Sequence, residues 1–167
     1  MANRIKLQPT ISAEIPNHDF SCMIGTDATE SAKLTEKDAG KAVKFATGLP
    51  DSRVVFCADG DEIGGQLITV EASQTSAGFK VGTVRFPSSP MFTGINKGAG
   101  ALAIGDEVVA AAQAAAGEPN NAPPYHEMLA VKKAGSALNN GTRLRVVAIQ
   151  KGTGATNSIV TLSRVLF

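Results

Sequence analysis

The stretch from Asp59 to Phe86 constrains the fold of this chain most. Leu67, Thr69 and Glu71 alternate with Ile68, Val70 and Ala72, a period of two that sends one set to each face of a strand. The connection Ser73-Gln-Thr-Ser-Ala-Gly78 is short, polar and ends in Gly, the composition of a hairpin turn. On the return, Phe79 and Val81 share one face, and the apolar residues resume on the other at Val84 and Phe86. The change of phase falls at Gly82-Thr83, where a Gly inside a strand predicts a bulge or bend. Such a curled hairpin is expected to seed a small sheet that closes on itself. None of its residues carries an evident chemistry.

Strand signals recur on both sides of this hairpin. Val43 and Phe45 share a face with Lys44 opposite, Gly48 to Ser52 is a turn, and Arg53 to Cys57 is short and apolar enough for a buried strand. Thr35-Glu-Lys-Asp38 is a weak capping box that could start a single helical turn, with the approach to a strand as the preferred reading. Pro87-Ser-Ser-Pro90 interrupts the sheet and is expected to leave Met91 and Phe92 on exposed chain. Glu107 to Ala111 reads as a strand followed by a turn. The alanines of 110–116 keep a short helix as the alternative. Gly117 to Tyr125 is a Pro-rich loop and a candidate contact segment. Leu144, Val146 and Ala148 alternate, residues 151–157 turn, and Ser158 to Phe167 returns as a strand. Gly40, Gly105 and Gly141 each precede a polar residue, any residue and an aliphatic, which suggests one turn-to-strand entry used three times. The expected fold is all-β: a small barrel or sandwich of short antiparallel strands over residues 35–167. Residues 1–34 form an extended N-terminal arm and lead-in.

The arm has the cleanest pattern in the chain. Ile5, Leu7, Pro9, Ile11, Ala13 and Ile15 alternate with polar residues. An extended segment of this length reaches about 35 Å. Pro9 lacks an N–H, so the segment belongs at an edge or runs unpaired. It reads either as an arm that adds to the sheet edge of a neighbouring subunit or as a first edge strand on its own domain.

Composition narrows the function. Sixteen basic residues against fifteen acidic ones give a net charge of +1, with no electrostatic reason to expect nucleic acid or an anionic membrane. No apolar run approaches the ~18 residues of a membrane span, and the N-terminus lacks the apolar core of a secretory signal. A chain made in a cytoplasm and soluble there is the expectation. Cys22 and Cys57 have no metal spacing and read as two buried thiols rather than a disulfide. His18 and His126 lie in turn-like segments without a nucleophile context, and His126-Glu127 is adjacent rather than spaced for a metal. Asp59-Gly-Asp-Glu62 lacks calcium-loop spacing and reads as an Asp-Gly turn. Gly100 and Gly105 precede Asp106 rather than the Lys of a phosphate loop. Asn140-Gly141 is a turn signal. No enzyme activity, cofactor or metal is expected.

Ala39-Gly-Lys-Ala-Val-Lys-Phe45, the Gly64-Gly65 strand entry, Phe79-Lys-Val-Gly-Thr-Val84 and Leu102-Ala-Ile-Gly-Asp-Glu-Val-Val109 resemble the small Gly/Ala/Val-rich head decoration, or cement, proteins of tailed bacteriophages. The likeness spans residues 34–167. It implies a β-barrel or β-sandwich that trimerises on the outer surface of the virion head and bridges subunits of the major capsid protein. On that reading Ile5, Leu7, Ile11 and Ile15 anchor the arm, and Met91 and Phe92 supply a second patch. Two rivals stand beside it: a carbohydrate- or cell-surface-binding β-module, and a minor phage tail or baseplate protein. The first is poorly served by a chain with no Trp and one Tyr.

Overall fold

Ten strands in two five-stranded sheets form an all-β, sandwich-like fold in the computed structural model, which describes residues 19–47, 53–86, 91–135 and 144–164. The first sheet contains β1 (Asp19–Met23), β2 (Ala42–Phe45), β3 (Val54–Phe56), β4 (Gly65–Gln74) and β5 (Lys80–Arg85), in the order β1-β5-β4-β2-β3 and wholly antiparallel. Its two edges meet at one bridge, Ile24 to Val54, where Gly25 N donates to Val54 O at 2.9 Å. The sheet therefore curls but does not close into a barrel. The second sheet contains β6 (Phe92–Asn96), β7 (Val108–Ala110), β8 (Leu129–Lys133), β9 (Arg145–Lys151) and β10 (Ile159–Ser163), in the order β7-β8-β6-β10-β9. Its pairs are antiparallel except β6 with β8. That exception to the expected antiparallel pattern follows from the long crossover between the two strands, which a hairpin cannot supply.

The central hairpin is β4 and β5, with its bulge on the opposite strand from the one expected. Leu67 pairs with Val84 and Thr69 with Thr83, so Ile68 is the extra residue, and a second shift lies between Val70 and Gln74. Gly82 keeps its inward phase. A Cβ there would collide with Ile24 Cδ1 and the Thr69 carbonyl, so the gap in the apolar pattern at 82 is space already filled by Ile24.

Each sheet has its own apolar cluster. Ile24, Leu34, Val43, Val54, Leu67 and Val84 form the first. The second is larger and includes Phe92, Val108, Leu129, Val131, Leu144, Val160 and Leu162, with Ala42, Cys57 and Ile63 reaching in from the first sheet's side. Residues 19–34, taken from sequence as part of the lead-in, contribute β1, the short helix α1 (Ala28–Ala32) and the buried Ile24 and Leu34. The arm itself, with Ile5, Leu7, Ile11 and Ile15, lies outside the described residues, as do Gly141 and the last three residues.

The capping box at Thr35 forms and opens a 3-10 turn, Glu36–Asp38, before the chain reaches β2. Asp38 Oδ2 accepts from Thr35 N at 2.7 Å, and its Oδ1 takes the Lys41 ammonium at 2.7 Å, both side chains fully buried. Lys41 Nζ also donates to Ala114 O and Ala115 O at 2.9 and 2.8 Å and sits 4.7 Å from the Phe56 ring centroid. Gly117 N donates to Asp38 as well. Gln113 completes the clamp: its Oε1 accepts from Ala42 N, and its Nε2 donates to Ala42 O and Cys57 O. The alanine segment is held by this clamp and by its other neighbours. After β7, residues 111–116 are not helical: Ala110 O, which a helix would bond to Ala114 N, accepts from Gly60 N, and Ala114 N donates to Asn120 Oδ1 instead. The C-terminal hairpin, β9 and β10, follows the expected alternation.

Candidate interaction surface

The large apolar side chains that the described residues leave most exposed are Phe20, Phe45, Met91 and Ile104. Two of them belong to one construction. Phe20 of β1 pairs across from Val84, and Phe45 continues the face that Val43 starts, so both lie on the inward side of the first sheet. They sit beside the first sheet's own apolar cluster, on the face away from Ala42 and the second core, and each is 51% exposed. Phe86, immediately after β5, lies between them. Its ring stacks on Phe45 at 5.0 Å with 5° between planes and meets Phe20 edge-on at 5.6 Å and 60°. Both geometries are favourable for aromatic pairs, about 0.5–1.5 kcal/mol each beyond burial. Gly65 makes room for the row: a Cβ there would lie 3.2 Å from Phe86 Cδ1 and 2.8 Å from the Arg85 carbonyl.

A charged pair lies on the opposite face of β1 and β5. Arg85 Nε and Nη2 donate to the two Asp19 carboxylate oxygens at 2.9 Å each. That bidentate bond holds the Arg85 guanidinium above its ordinary range, against the opposing effect of burial. Arg85 also lines a cleft of about 370 Å³ with Gln66, Met91 and Met128. Met91 stands at this cleft 68% exposed, as the sequence predicts. Phe92 does not. It is 3% exposed and belongs to the second core. The chain enters β6 at Phe92, and neighbouring strand residues point to opposite sides, so Met91 and Phe92 cannot share a surface patch.

The other residues considered for chemistry fall apart from one another. Asp59 to Glu62 is a tight turn: Asp61 Oδ2 accepts from Ala58 N at 2.6 Å and pairs with Lys44 at 2.5 Å, while Asp59 pairs with Lys132. His126 stands at the rim of a second cleft with its Nε2 3.8 Å from Glu127, and its Nδ1 has no partner among the described residues. His18 lies outside them. Cys57 is buried and Cys22 half-buried, both as free thiols. Burial first, and the Asp61 charge second, push the Cys57 thiol up to about 12, far from a reactive thiolate. Among the described residues no group of His, Cys, Asp and Glu is arranged to hold a metal, and no helix is long and apolar enough to cross a membrane.

Sequence reasoning missed the phenylalanine row. Phe45 and Phe86 read as inward residues of their strands, which they are. The missing information is how far the first sheet's own curl and the residues Ile24 and Leu34 cover them, which no local pattern shows. Comparison with protein-family models, curated proteins and solved structures finds no match to this chain.

Proposed function

We propose that the protein is a viral structural protein: a decoration, or cement, protein that binds the outside of a tailed-phage head as a homotrimer and bridges subunits of the major capsid protein. The observation that carries this reading is the Phe20–Phe86–Phe45 row, an apolar strip on a rigid β-body. Three aromatic rings held in fixed geometry bury area at low entropic cost when a partner covers them. Such a body needs several weak contacts to different subunits. Joining them through one scaffold raises affinity by about 10²–10⁴ without new chemistry. The resemblance of residues 34–167 to the decoration family supplies the kind of partner.

The test is addition of the full-length protein to undecorated phage heads, with occupancy read by sedimentation and head survival by heating. Saturable binding and a higher bursting temperature are expected. No binding to any head at micromolar protein would overturn the reading. Phe45 also favours a second reading as a sugar-binding module, because an exposed ring is the usual sugar platform. One face of that ring is already covered by Phe86. A glycan array decides: retention on a glycan, with no head binding, selects the module.

A further inference from the structure

The first sheet also carries a strand edge that its own chain leaves open. β2 reaches β4 only at Gly65 and Gln66, and Leu67 is the last residue bonded on that side: its O accepts from Gly40 N and its N donates to Lys41 O. From Ile68 to Gln74, β4 has β5 on one flank and, among the described residues, no backbone partner on the other. Along the start of this edge runs a cleft of about 560 Å³, bordered by Ile68, Val70, Ala39, Lys37, Glu36 and Glu127. The 3-10 turn and the 126–127 loop hold the cleft open where β2 would otherwise continue. Residues 71–74 are exposed.

An open edge calls for an extended segment with a full set of N–H donors and one apolar face. The sequence contains one. Thr10 to Ile15 is a six-residue run bracketed by Pro9 and Pro16, so every N–H that a strand needs is present within it and is missing at both borders. Ile11, Ala13 and Ile15 form its apolar face, matching Ile68 and Val70 in the cleft. Arg4 and Lys6 precede it, and the receiving side holds Glu36, Glu71 and Glu127 against a single Lys37. We infer that the edge of β4 from Ile68 to Gln74 receives the Thr10–Ile15 segment of a second copy of this chain.

A second copy is favoured over the same chain by reach. The described chain starts at Asp19, which pairs with Arg85, and Arg85 pairs in turn with Gln66. A strand added to the far edge of β4 stands three strand spacings from β1, about 14 Å, with a further ~6 Å of climb from the level of Gln66 to that of Ile68. Only residues 16–18 separate Ile15 from Asp19, four steps that span about 14 Å at full extension. Those residues, Pro16-Asn17-His18, are turn formers. Donation between copies is a head-to-tail contact, and three such contacts close a ring. This acceptor assignment rests on the homotrimer reading above but not on the capsid.

The experiment pairs two full-length variants, Ala13→Cys and Ala72→Cys, each in a Cys22→Ser background. Ala72 is exposed, so folding is not at stake there. Mixed under mild oxidant, the two variants are expected to form an intermolecular disulfide, while either variant with unmodified chain forms none. Light scattering of the unmodified protein is expected to give a closed trimer. The double variant cross-linked only within single chains would show that the segment folds back on its own sheet and would overturn the assignment. Absence of either cross-link from a folded protein would overturn it equally. Head binding by the same variants is scored separately, so a protein that exchanges arms but ignores heads refutes the capsid reading alone.

Discussion

The two sheets are built from similar strands and end in different states. The second is covered: its strands share one large core, and Phe92, Leu129, Val160 and Leu162 are essentially out of water. The first has a smaller cluster, a curl held at its edges by the Ile24–Val54 bridge, a row of half-exposed phenylalanines and an edge of β4 left unpaired among the described residues. On the proposed reading one sheet supplies rigidity and the other presents contacts, so that incomplete burial, rather than burial, would mark the working part of this molecule.

The comparison can be broken most severely at the clamp between the first sheet and the alanine segment. Asp38→Ala leaves the Lys41 ammonium buried without its counter-charge. A loss of about 3–5 kcal/mol is expected in urea denaturation. The double replacement Asp38→Leu with Lys41→Met removes both charges and is expected to cost clearly less. Next is the second core. Leu162→Ala opens a cavity in packed surroundings and is expected to cost about 2–5 kcal/mol while leaving head binding per folded molecule unchanged. Phe45→Ala reverses that pattern. Half of this side chain is already in water, so a loss near 1 kcal/mol is expected, with head occupancy falling at least tenfold. Equal occupancy would remove the row from the contact surface.

The smallest expected effect sharpens the electrostatic side. Hydrogen bonds from Lys133 Nζ and Ala103 N, both at 2.8 Å, hold the Asp106 carboxyl below its ordinary 3.8. A depressed folded-state value means this stabilisation is present above about pH 3.8 and is lost as pH falls through the lower folded value. Asp106→Asn is therefore expected to cost at most about 1 kcal/mol at neutral pH and to flatten the acid limb of the stability curve below pH 4.

The period-two pattern of β4 and β5 was legible because one face is buried and the other wet, so chemistry alternates with geometry. The C-terminal hairpin was legible for the same reason. The strand at Val108–Ala110 emerged from its Val-Val start. The fate of Ala112–Ala116 did not, because the groups that hold it, Gly60, Asn120 and Lys41, lie outside the segment, the last of them some seventy residues away in sequence. β1 was missed because Asp19–Met23 is mostly exposed and shows no alternation of its own; it is a strand because β5 offers it an edge. Met91 was placed by the prolines before it, and Phe92 was misplaced with it because nothing local marks where the next strand begins.

The Asp38–Lys41 pair also bears on how this chain can vary. Either change alone strands a charge in the interior, and only the joint change escapes. Across any set of related chains, positions 38 and 41 should therefore mutate as a couple, both ionic or both oily. Such covariation could be traced in genomes before a single protein is purified.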